Sequence, residues 1–357
     1  MFKRYQETYK LPFNSSIPNY CNKYESKINN PSRFFKYLKR YLYLYLNQQI
    51  KYEKKFISSD HKRILWINKS APSLGDSLMD LSSRVLLQDR EIDLLTDKKN
   101  KHIYTDDPIF NEVYTSAEGI DKKKYDLVIL DSYSSRTIKL KIRALPFHEF
   151  VSIYGFFNGP EINRILFSFH RVNFLLRLNL SHMKINSLAF PSMNFSKPKN
   201  LKLPQKFITL AVGGEWEYRT FKNWEEVVKK LLNKYDQLLI CLVGSKNGID
   251  HALKIHEFFP NRVLNFVGKY SFKETAFIIS QSKVFLGCDG GLLHVANSFR
   301  KITIPLFSRV EPELRMTEGM ISFPIYDSLD VNNIKIDSIV YNFEEALKAV
   351  DKYHPAE

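Results

Sequence analysis

Cysteine is scarce in this chain of 357 residues, which contains only Cys21, Cys241 and Cys288. An odd number of cysteines without a Cys-x-x-Cys spacing indicates neither a disulfide framework nor a zinc site. Cys241 and Cys288 lie in apolar segments typical of strands, where buried and reduced thiols are expected. The sequence therefore predicts no metal site and no cofactor.

Long hydrophobic runs are also missing. No apolar run approaches the roughly 18 residues needed to span a bilayer, and the apolar window 167–180 is interrupted by His170, Arg171 and Arg177. The basic N-terminus is not followed by an uncharged apolar core ending in small residues, so it does not have the form of a secretory signal. We expect a cytoplasmic protein.

Internal repeats and low-complexity tracts are absent from the sequence. Hydrophobic residues make up 44% of the chain and charged residues 25%, with 27 Phe and 20 Tyr, which is a globular composition. The length suits two α/β domains, each with its own core, and so permits a cleft between them.

Positive charge is in excess, because 53 Lys and Arg face 38 Asp and Glu and give a net charge of +15. Such a charge favours phosphate-rich partners: nucleic acid, an anionic membrane or a phosphorylated glycolipid. Residues 1–60 carry 12 basic and 4 acidic side chains, so their local net charge is +8. The excess is concentrated before the first predicted core strand, in a segment without a recognised nucleic-acid-binding fold, so nucleic acid is the weakest of these partners.

A helix start is predicted at Asn30 and Pro31, since Asn can cap a helix and Pro is tolerated in its first turn. Such a helix would carry an aromatic and apolar face at steps of three and four. That face comprises Phe34, Tyr37, Leu38, Tyr41, Leu42 and Tyr45.

Lys36, Lys39 and Arg40 would flank this face, as on helices that lie on an anionic membrane. The alternative is that the face packs on the domain that follows, the more frequent role of such a stripe. The alternating Tyr and Leu of residues 41–46 also permit a strand.

From residue 62 onward, apolar strands alternate with helical stretches, the pattern of a parallel sheet with crossover helices. The first half has predicted strands at 63–68, 92–95 and 125–131 and a helix at 76–88. The second half has strands at 207–212, 238–243, 263–266, 284–287 and 302–307, the last closing the sheet, and helices at 224–235, 249–258, 272–281 and 292–299. A terminal helix at 342–353 would be capped by Asn342.

A linker rich in Pro, Lys and Asn is predicted at 192–204. The predicted organisation is thus a basic, aromatic extension, two α/β domains and a C-terminal helix. Their bounds are 1–60, 61–195, 205–330 and 331–357.

The most informative segment is 284–296, Val-Phe-Leu-Gly-Cys-Asp-Gly-Gly-Leu-Leu-His-Val-Ala. An apolar strand runs through two glycines into a helix, so the amides of Gly290, Gly291 and Leu292 would face a ligand above the strand's end. Such a helix N-terminus binds phosphate, and open α/β sheets bind ligands at this edge. His294 would donate a hydrogen bond to the phosphate, or it is simply a packed histidine in a tight turn.

This segment resembles the bacterial ADP-heptose:lipopolysaccharide heptosyltransferases, glycosyltransferase family 9. Their donor domain has Asp-Thr-Gly-x-x-His on a strand-to-helix turn and then an apolar strand ending in Leu-Phe-Gly. Asp289, Gly291 and His294 match the first motif, and Ile-Pro-Leu-Phe-Ser at 304–308 is similar to the second.

Upstream, Val-Gly-Gly-Glu-Trp at 212–216 and Phe-Lys-Asn-Trp at 221–224 are similar to the family's Pro-Gly-Ala-x-Trp and Lys-Arg-Trp. In the family, the lysine approaches the donor's phosphates, and Lys222 is the matching position. The resemblance implies a set of donor-binding residues: Gly213, Gly214, Lys222, Asp289, Gly290, Gly291, Leu292 and His294.

The first half carries a shorter match, because residues 65–76 resemble the family's opening strand, loop and Leu-Gly-Asp. The resemblance implies that Asp76 is the catalytic base. The alternative is that Asp76 only caps a helix. Gly290 and Ser308 depart from the family, in which a threonine and a glycine stand at these positions. Gly290 lacks a hydroxyl that could bind phosphate, so a divergent donor or reduced activity is also consistent with the sequence.

The resemblance implies an α/β GT-B fold of two Rossmann-like domains, acceptor then donor, with a cleft between them. It further implies an inverting, metal-independent glycosyltransferase that moves a sugar, heptose from ADP-heptose, to a lipopolysaccharide core or other glycan. Asp76 would accept the acceptor's proton, while Lys222, His294 and the helix amides stabilise the leaving diphosphate. The sequence has no Asp-x-Asp triplet for a metal-bound diphosphate.

The implied partners are a nucleotide-sugar donor and an anionic glycolipid acceptor, with peripheral contact at the inner face of the bacterial inner membrane. Two alternatives remain at this point. A nucleotide-sugar epimerase of related fold would form product from the donor alone, and an inactive paralogue would bind a nucleotide or lipid headgroup without turnover.

Overall fold

The computed structural model describes Tyr5 and residues 31–69, 71, 73–158, 161–195, 198 and 201–353. The chain forms two compact units, Met1–Ala189 and Phe190–Glu357. The predicted cap at Asn30 lies outside the described residues, as do four positions of the predicted linker. Each unit contains one parallel sheet with helices beside it.

The first unit has five strands in the order β3-β2-β1-β4-β5, and every neighbouring pair is parallel. The strands are β1 (Arg63–Asn68), β2 (Glu91–Thr96), β3 (Phe110–Tyr114), β4 (Leu127–Leu130) and β5 (Phe150–Ser152). The helices are α1 (Pro31–Leu46), α2 (Leu74–Asp80), α3 (Lys98–Tyr104), α4 (Ser135–Ala144), α5 (Arg164–Leu176) and α6 (His182–Leu188). The strand order reverses between β1 and β4, where open α/β sheets bind ligands.

Helix α1 shows that the strand alternative for residues 41–46 was wrong. Tyr37 and Leu44 are buried in the core of the first unit, so the helix packs on the sheet that follows. The predicted face was rotated, however, because Leu42 and Tyr45 are exposed. The position of the core decides which face of the helix is buried, and the helical spacing of apolar residues alone does not define that face.

Helix α2 is shorter than predicted and begins earlier, at Leu74. Ser73 caps it and forms a capping box with Asp76, which places the helix start two residues before the predicted one. The helix ends at Asp80, and a 3-10 segment, Ser82–Leu87, follows. In that segment Arg84 is buried and forms an ion pair with Asp107, a residue distant in sequence.

The second unit has six strands in the order β11-β10-β9-β6-β7-β8, again parallel. The strands are β6 (Ile208–Ala211), β7 (Ile240–Val243), β8 (Val263–Asn265), β9 (Val284–Cys288), β10 (Ile302–Ser308) and β11 (Ile325–Asp327). The helices are α7 (Trp224–Lys234), α8 (Ile249–Phe258), α9 (Phe272–Gln281), α10 (Gly291–Ser298) and α11 (Ile336–Tyr353). The order reverses between β6 and β9.

Two expectations for the second unit were wrong. Strand β10 does not close the sheet, because β11 pairs beside it as the edge strand. Helix α11 begins at Ile336, so Asn342 is no cap: its side-chain amide donates to the carbonyl of Ser338 within the helix. Phe343 of this helix is buried in the second unit's core. The helix thus begins six residues before Asn342, the polar residue at which its start was predicted.

The described helices include none that is long and apolar enough to cross a membrane.

Candidate functional site

The second unit brings the glycine-rich segments together at one edge of its sheet. Strands β6 and β9 are parallel neighbours, with Leu210 opposite Leu286. Gly213 and Gly214 follow the carboxyl end of β6, and Asp289 follows that of β9. Because carboxyl ends of adjacent parallel strands share an edge, these segments lie at the point where the strand order reverses.

The turn from β9 to α10 has the predicted form. The amide of Asp289 donates to the carbonyl of Leu306 at 2.8 Å, which anchors the turn on the neighbouring strand. Gly290 is the N-cap and supplies no side-chain acceptor, so the first-turn amides of Gly291 and Leu292 have no side-chain cap. Uncapped amides at a helix N-terminus carry partial positive charge and attract phosphate.

Arg219 is a residue that the sequence motifs missed. Its Nη1 lies 3.3 Å from Oδ2 of buried Asp289, an ion pair without hydrogen-bond geometry. Its Nε is buried and has no hydrogen-bond partner among the described residues. A guanidinium in this state beside the uncapped helix end can bind an anion. The signal available in the sequence was an arginine between the two matched motifs, after Trp216.

Ser308, a departure from the family pattern, holds the turn that carries Arg219. Its hydroxyl donates to the carbonyl of Tyr218 at 2.7 Å, from the end of β10. Arg309 stacks on the ring of Tyr218, with its guanidinium carbon 3.9 Å from the ring centroid. Ser308 therefore makes a side-chain hydrogen bond that the glycine of the family could not make.

Lys222 lies on an exposed loop. Its Nζ donates to Glu217 at 2.8 Å, and this carboxylate raises the pKa of the lysine. Its backbone amide donates to Asn332 at 2.8 Å, so the loop itself is fixed. The structure thus pairs Lys222 with Glu217, and its predicted contact with phosphate stays a prediction.

His294 is the fourth residue of α10 and is only 2% exposed. It occupies the predicted helical turn, but as a buried side chain. Cys288 at the end of β9 is partly buried, and burial raises the pKa of its thiol to about 12. The thiol is therefore protonated at neutral pH and is not a nucleophile.

Gly213 and Gly214 are required by packing. Gly213 has a φ of +86°, and a Cβ there would lie 2.9 Å from the Cα of Gly248. A Cβ on Gly214 would overlap the hydroxyl of Thr220 and lie 3.0 Å from the carbonyl oxygen of Arg219. These glycines let the backbone pass close to the Arg219 turn, and their direct contact with a donor stays a prediction.

In the first unit, Asp76 combines a cap with a charged neighbour. Its Oδ2 accepts from the amide and hydroxyl of Ser73 at 3.2 and 2.6 Å. Its Oδ1 lies 3.7 Å from Nε of Arg164, and the side chain is 17% exposed. Asp76 is therefore the N3 member of the capping box, and its other oxygen lies beside Arg164.

Arg164 links Asp76 to a second carboxylate, that of Asp80. Its Nε and Nη2 donate to the two oxygens of Asp80 at 2.8 and 2.7 Å, a bidentate pair. The hydroxyl of Tyr154 donates to the same carboxylate at 2.6 Å. Burial, reinforced by this carboxylate, raises the pKa of Tyr154 well above its usual range. The pair fixes Arg164 beside Asp76.

Asp131, a carboxylate that could serve as the base in place of Asp76, is buried directly after β4. Its Oδ2 accepts from the amide of Lys69 at 3.1 Å, and its Oδ1 accepts from the amide of Ser132 at 2.5 Å and from the hydroxyl of Thr137 at 3.0 Å. A carboxylate that ties two loops through backbone amides is a poor proton acceptor. Asp76 is the better placed of the two.

Comparison with known proteins relates the segment that contains this edge of the second sheet to a family of enzymes. Residues 175–322 match the model of glycosyltransferase family 9 (heptosyltransferase). The chain is a glycosyltransferase that resembles family 9 over this segment. The sequence-based family assignment is thereby confirmed, and the matched region contains Arg219 and the turn from β9 to α10. None of the curated proteins is significantly similar to this glycosyltransferase.

Solved structures confirm its fold as two parallel-sheet α/β domains of the GT-B type. A family 9 glycosyltransferase from Veillonella parvula superposes with a TM-score of 0.68 at 13% identity, covering 83% of this chain and 100% of that one. The ADP-heptose lps heptosyltransferase II of E. coli gives 0.63 at 16%, with 81% and 99% covered. E. coli heptosyltransferase WaaC with ADP gives 0.62 at 16%, with 80% and 99% covered.

Proposed function

We propose that this glycosyltransferase transfers a heptose from ADP-heptose to a lipopolysaccharide core or other anionic glycan, with inversion and without a metal ion. The observation that carries the proposal is the uncapped turn of Gly290 and Gly291, beside Arg219, within the family 9 segment. The E. coli structures of similar fold are named for ADP-heptose and ADP, which supports this choice of donor.

The second unit would hold the donor. The diphosphate would lie against the amides of Gly291 and Leu292, with Arg219 turning from Asp289 toward the phosphate oxygens. Lys222 would exchange Glu217 for phosphate, since an exposed ion pair costs little to break. These fixed dipoles and cations would stabilise the charge that develops on the leaving diphosphate.

The first unit would supply the base. An inverting transfer in one displacement requires a group that accepts the proton of the attacking hydroxyl. Oδ1 of Asp76 would accept that proton, while Ser73 on Oδ2 and Arg164 beside Oδ1 hold the carboxylate in one orientation. The proton and the departing nucleoside diphosphate leave on opposite faces of the sugar.

Helix α1 supports a position on the cytoplasmic face of the inner membrane. Phe35, Leu38, Leu42 and Leu46 line an open apolar groove on it, and Lys39 lies beside them. Phe35 and Leu46 are 63% and 74% exposed. An apolar helix face with adjacent lysine, in a segment of net charge +8, suits the interface of an anionic bilayer.

Binding of ADP to the full chain tests the donor site. We expect ADP to raise the melting temperature, because a ligand bound only by the folded state stabilises it. Arg219→Gln should weaken ADP binding about tenfold or more, as loss of a charge-assisted contact does. Arg262→Gln is the matched control, since Arg262 donates to the carbonyls of Tyr235 and Asp236.

Transfer itself is measured with ADP-heptose and a lipopolysaccharide core acceptor, with and without a chelator, and the product's anomeric configuration is read by NMR. ADP that binds equally well to the parent and the Arg219→Gln variant would refute the donor site. Retained configuration, or activity lost to the chelator, would refute the proposed mechanism.

A further inference from the structure

An open cavity of about 240 Å³ lies in the first unit, where strands β4 and β5 end. Helix α1 forms one wall through Lys36 and Arg40, and the N-terminus of α5 forms another through Arg164. This volume corresponds to about eight water molecules at roughly 30 Å³ each. The cavity can therefore hold one sugar-sized group.

The two buried carboxylates of the lining are already satisfied by neighbours. Asp80 accepts a bidentate pair from Arg164 and a hydrogen bond from Tyr154. Asp131 accepts from the backbone amides that follow β1 and β4. The third carboxylate, Glu161, is exposed at the rim, where solvent screens it.

The cations of α1 lack such compensation. Arg40 is half-buried and makes no hydrogen bond or ion pair with any residue that the structure describes. Lys36 donates to the neutral amide of Asn158 at 3.0 Å. Burial, and then repulsion from Arg40 and Arg33, lowers the pKa of Lys36. A half-buried cation without a counter-ion is unfavourable in the empty cavity, and an anion would relieve that cost.

We propose that this cavity is a subsite for an anionic group of the acceptor, a carboxylate or a phosphate carried by a sugar, with Lys36 and Arg40 as its ligands. The subsite lies in unit 1 and is formed partly by the helix that precedes the first strand. This proposal rests on the proposed function and adds to it the site at which the acceptor's anionic group binds.

The geometry connects this subsite to the proposed base. Arg164 lines the cavity and its Nε lies 3.7 Å from Oδ1 of Asp76. An anionic group held by Lys36 and Arg40 would leave the rest of the sugar directed along Arg164 toward Asp76. The subsite would thus select anionic acceptors and orient a neighbouring hydroxyl for deprotonation.

The test measures binding of glucuronate, glucose 6-phosphate and glucose to the full chain by ligand-observed NMR at low salt, without nucleotide. We expect at least one anionic sugar to bind about tenfold more tightly than glucose, as a charge-assisted site requires. Tighter binding of glucuronate assigns the subsite to a carboxylate, and tighter binding of glucose 6-phosphate assigns it to a phosphate. Equal binding of all three sugars overturns the proposal.

Matched variants locate the effect. Lys36→Gln combined with Arg40→Gln should abolish the preference for anionic sugars, whereas Lys39→Gln, on an exposed position of the same helix, should preserve it. Glu161→Gln should strengthen anion binding slightly. Equal losses in the Lys36/Arg40 and Lys39 variants would reduce the effect to general charge and overturn the subsite.

Stability separates a binding role from a structural one. Since Arg40 has no partner among the described residues, Arg40→Gln should leave the melting temperature unchanged or raise it while anion affinity falls. If Arg40→Gln unfolds the chain, Lys36→Gln at the cavity mouth must still lower anion affinity, or the proposal fails. Donor is absent throughout, so failed sugar transfer with intact anion binding would refute the proposed function and not the subsite.

Discussion

Asp76 caps helix α2 and, in the proposed mechanism, would also act as the base. Oδ2 closes the capping box with Ser73, and Oδ1 lies beside Arg164. The cap immobilises the side chain, so an orientation suited to catalysis is maintained by helix formation itself. The two interpretations that the sequence left open, cap and base, therefore do not compete.

Replacement of Asp76 by asparagine should separate the two roles. Asn can still accept the hydrogen bond from Ser73 but cannot take a proton, so turnover should fall by roughly two orders of magnitude or more. ADP affinity, measured by calorimetry, should be unchanged.

Ser73→Ala is the control for this substitution, because it removes the cap and leaves the carboxylate. It should destabilise the fold by about 1 kcal/mol and lower turnover far less than Asp76→Asn does, because the backbone amide of Ser73 and Arg164 still orient the carboxylate. Comparable turnover losses in both variants would make Asp76 a structural residue.

Gly290 is a position where the chain departs from its family without a steric reason. Its φ of 171° is extended backbone, and the nearest atom to an added Cβ is the carbonyl oxygen of Cys288 at 4.0 Å. Gly290→Thr should therefore fold normally and add a hydroxyl that can donate a hydrogen bond to a bound phosphate. We expect ADP to bind several-fold more tightly, by calorimetry. Weaker binding would indicate that the donor requires the space that glycine leaves open.

At the scale of elements, α1 has two faces with different surroundings. Tyr37 and Leu44 belong to the core of the first unit, and Tyr37 packs on Phe156 with ring centroids 5.0 Å apart. The opposite face presents Leu42 and Leu46 to solvent. A helix that is fixed on one side and apolar on the other is suited to hold a protein against a bilayer.

The exposed face of α1 can be tested directly. Leu42→Glu with Leu46→Glu should reduce binding to anionic vesicles at least tenfold in a sedimentation assay, since charged groups cannot enter the bilayer interface without cost. Both side chains are exposed, so the melting temperature should be little changed. If the variant binds vesicles as well as the parent chain does, or if the parent chain does not bind them at low salt, the proposed membrane contact of this face is wrong.

At the scale of the whole first unit, Lys141 joins α4 to the segment that follows α1. Its Nζ donates to Gln49 at 2.7 Å and to the carbonyl of Pro146 at 3.3 Å, and it lies over the ring of Phe150. Burial lowers the pKa of Lys141 to about 7. The N-terminal segment is thus fastened to the sheet by a lysine that loses its charge near neutral pH.

The pH dependence of unfolding should reveal Lys141. Between pH 7 and about 10.4, the usual lysine pKa, the unfolded chain binds this proton and the folded chain does not. Stability therefore rises with pH across this window, and the full cost of the buried charge is present below it. The stability of Lys141→Met relative to the parent should fall by a few kcal/mol from pH 6.5 to 10 in urea titrations. A difference that does not vary with pH would contradict the shifted pKa.

The sequence by itself determined the parts that depend on local order along the chain. Apolar runs separated by helix signals gave the alternation of strands and helices in the second unit, and α8 and α9 have their predicted bounds. The turn at Asp289 was predictable because strand, glycines and helix are consecutive. The match of residues 175–322 to family 9 was predictable because their motifs occur in the correct order.

Only the tertiary structure decided what depends on neighbours distant in sequence. Arg219 and Asp289 are distant in the sequence and meet because β6 and β9 pair, so no local pattern predicts their contact. The buried face of α1 was set by the core beneath it, and Arg40 was placed in a cavity with helix α5. Periodicity defines which residues share a face of an element, whereas packing decides which face is buried and which charges remain without a partner.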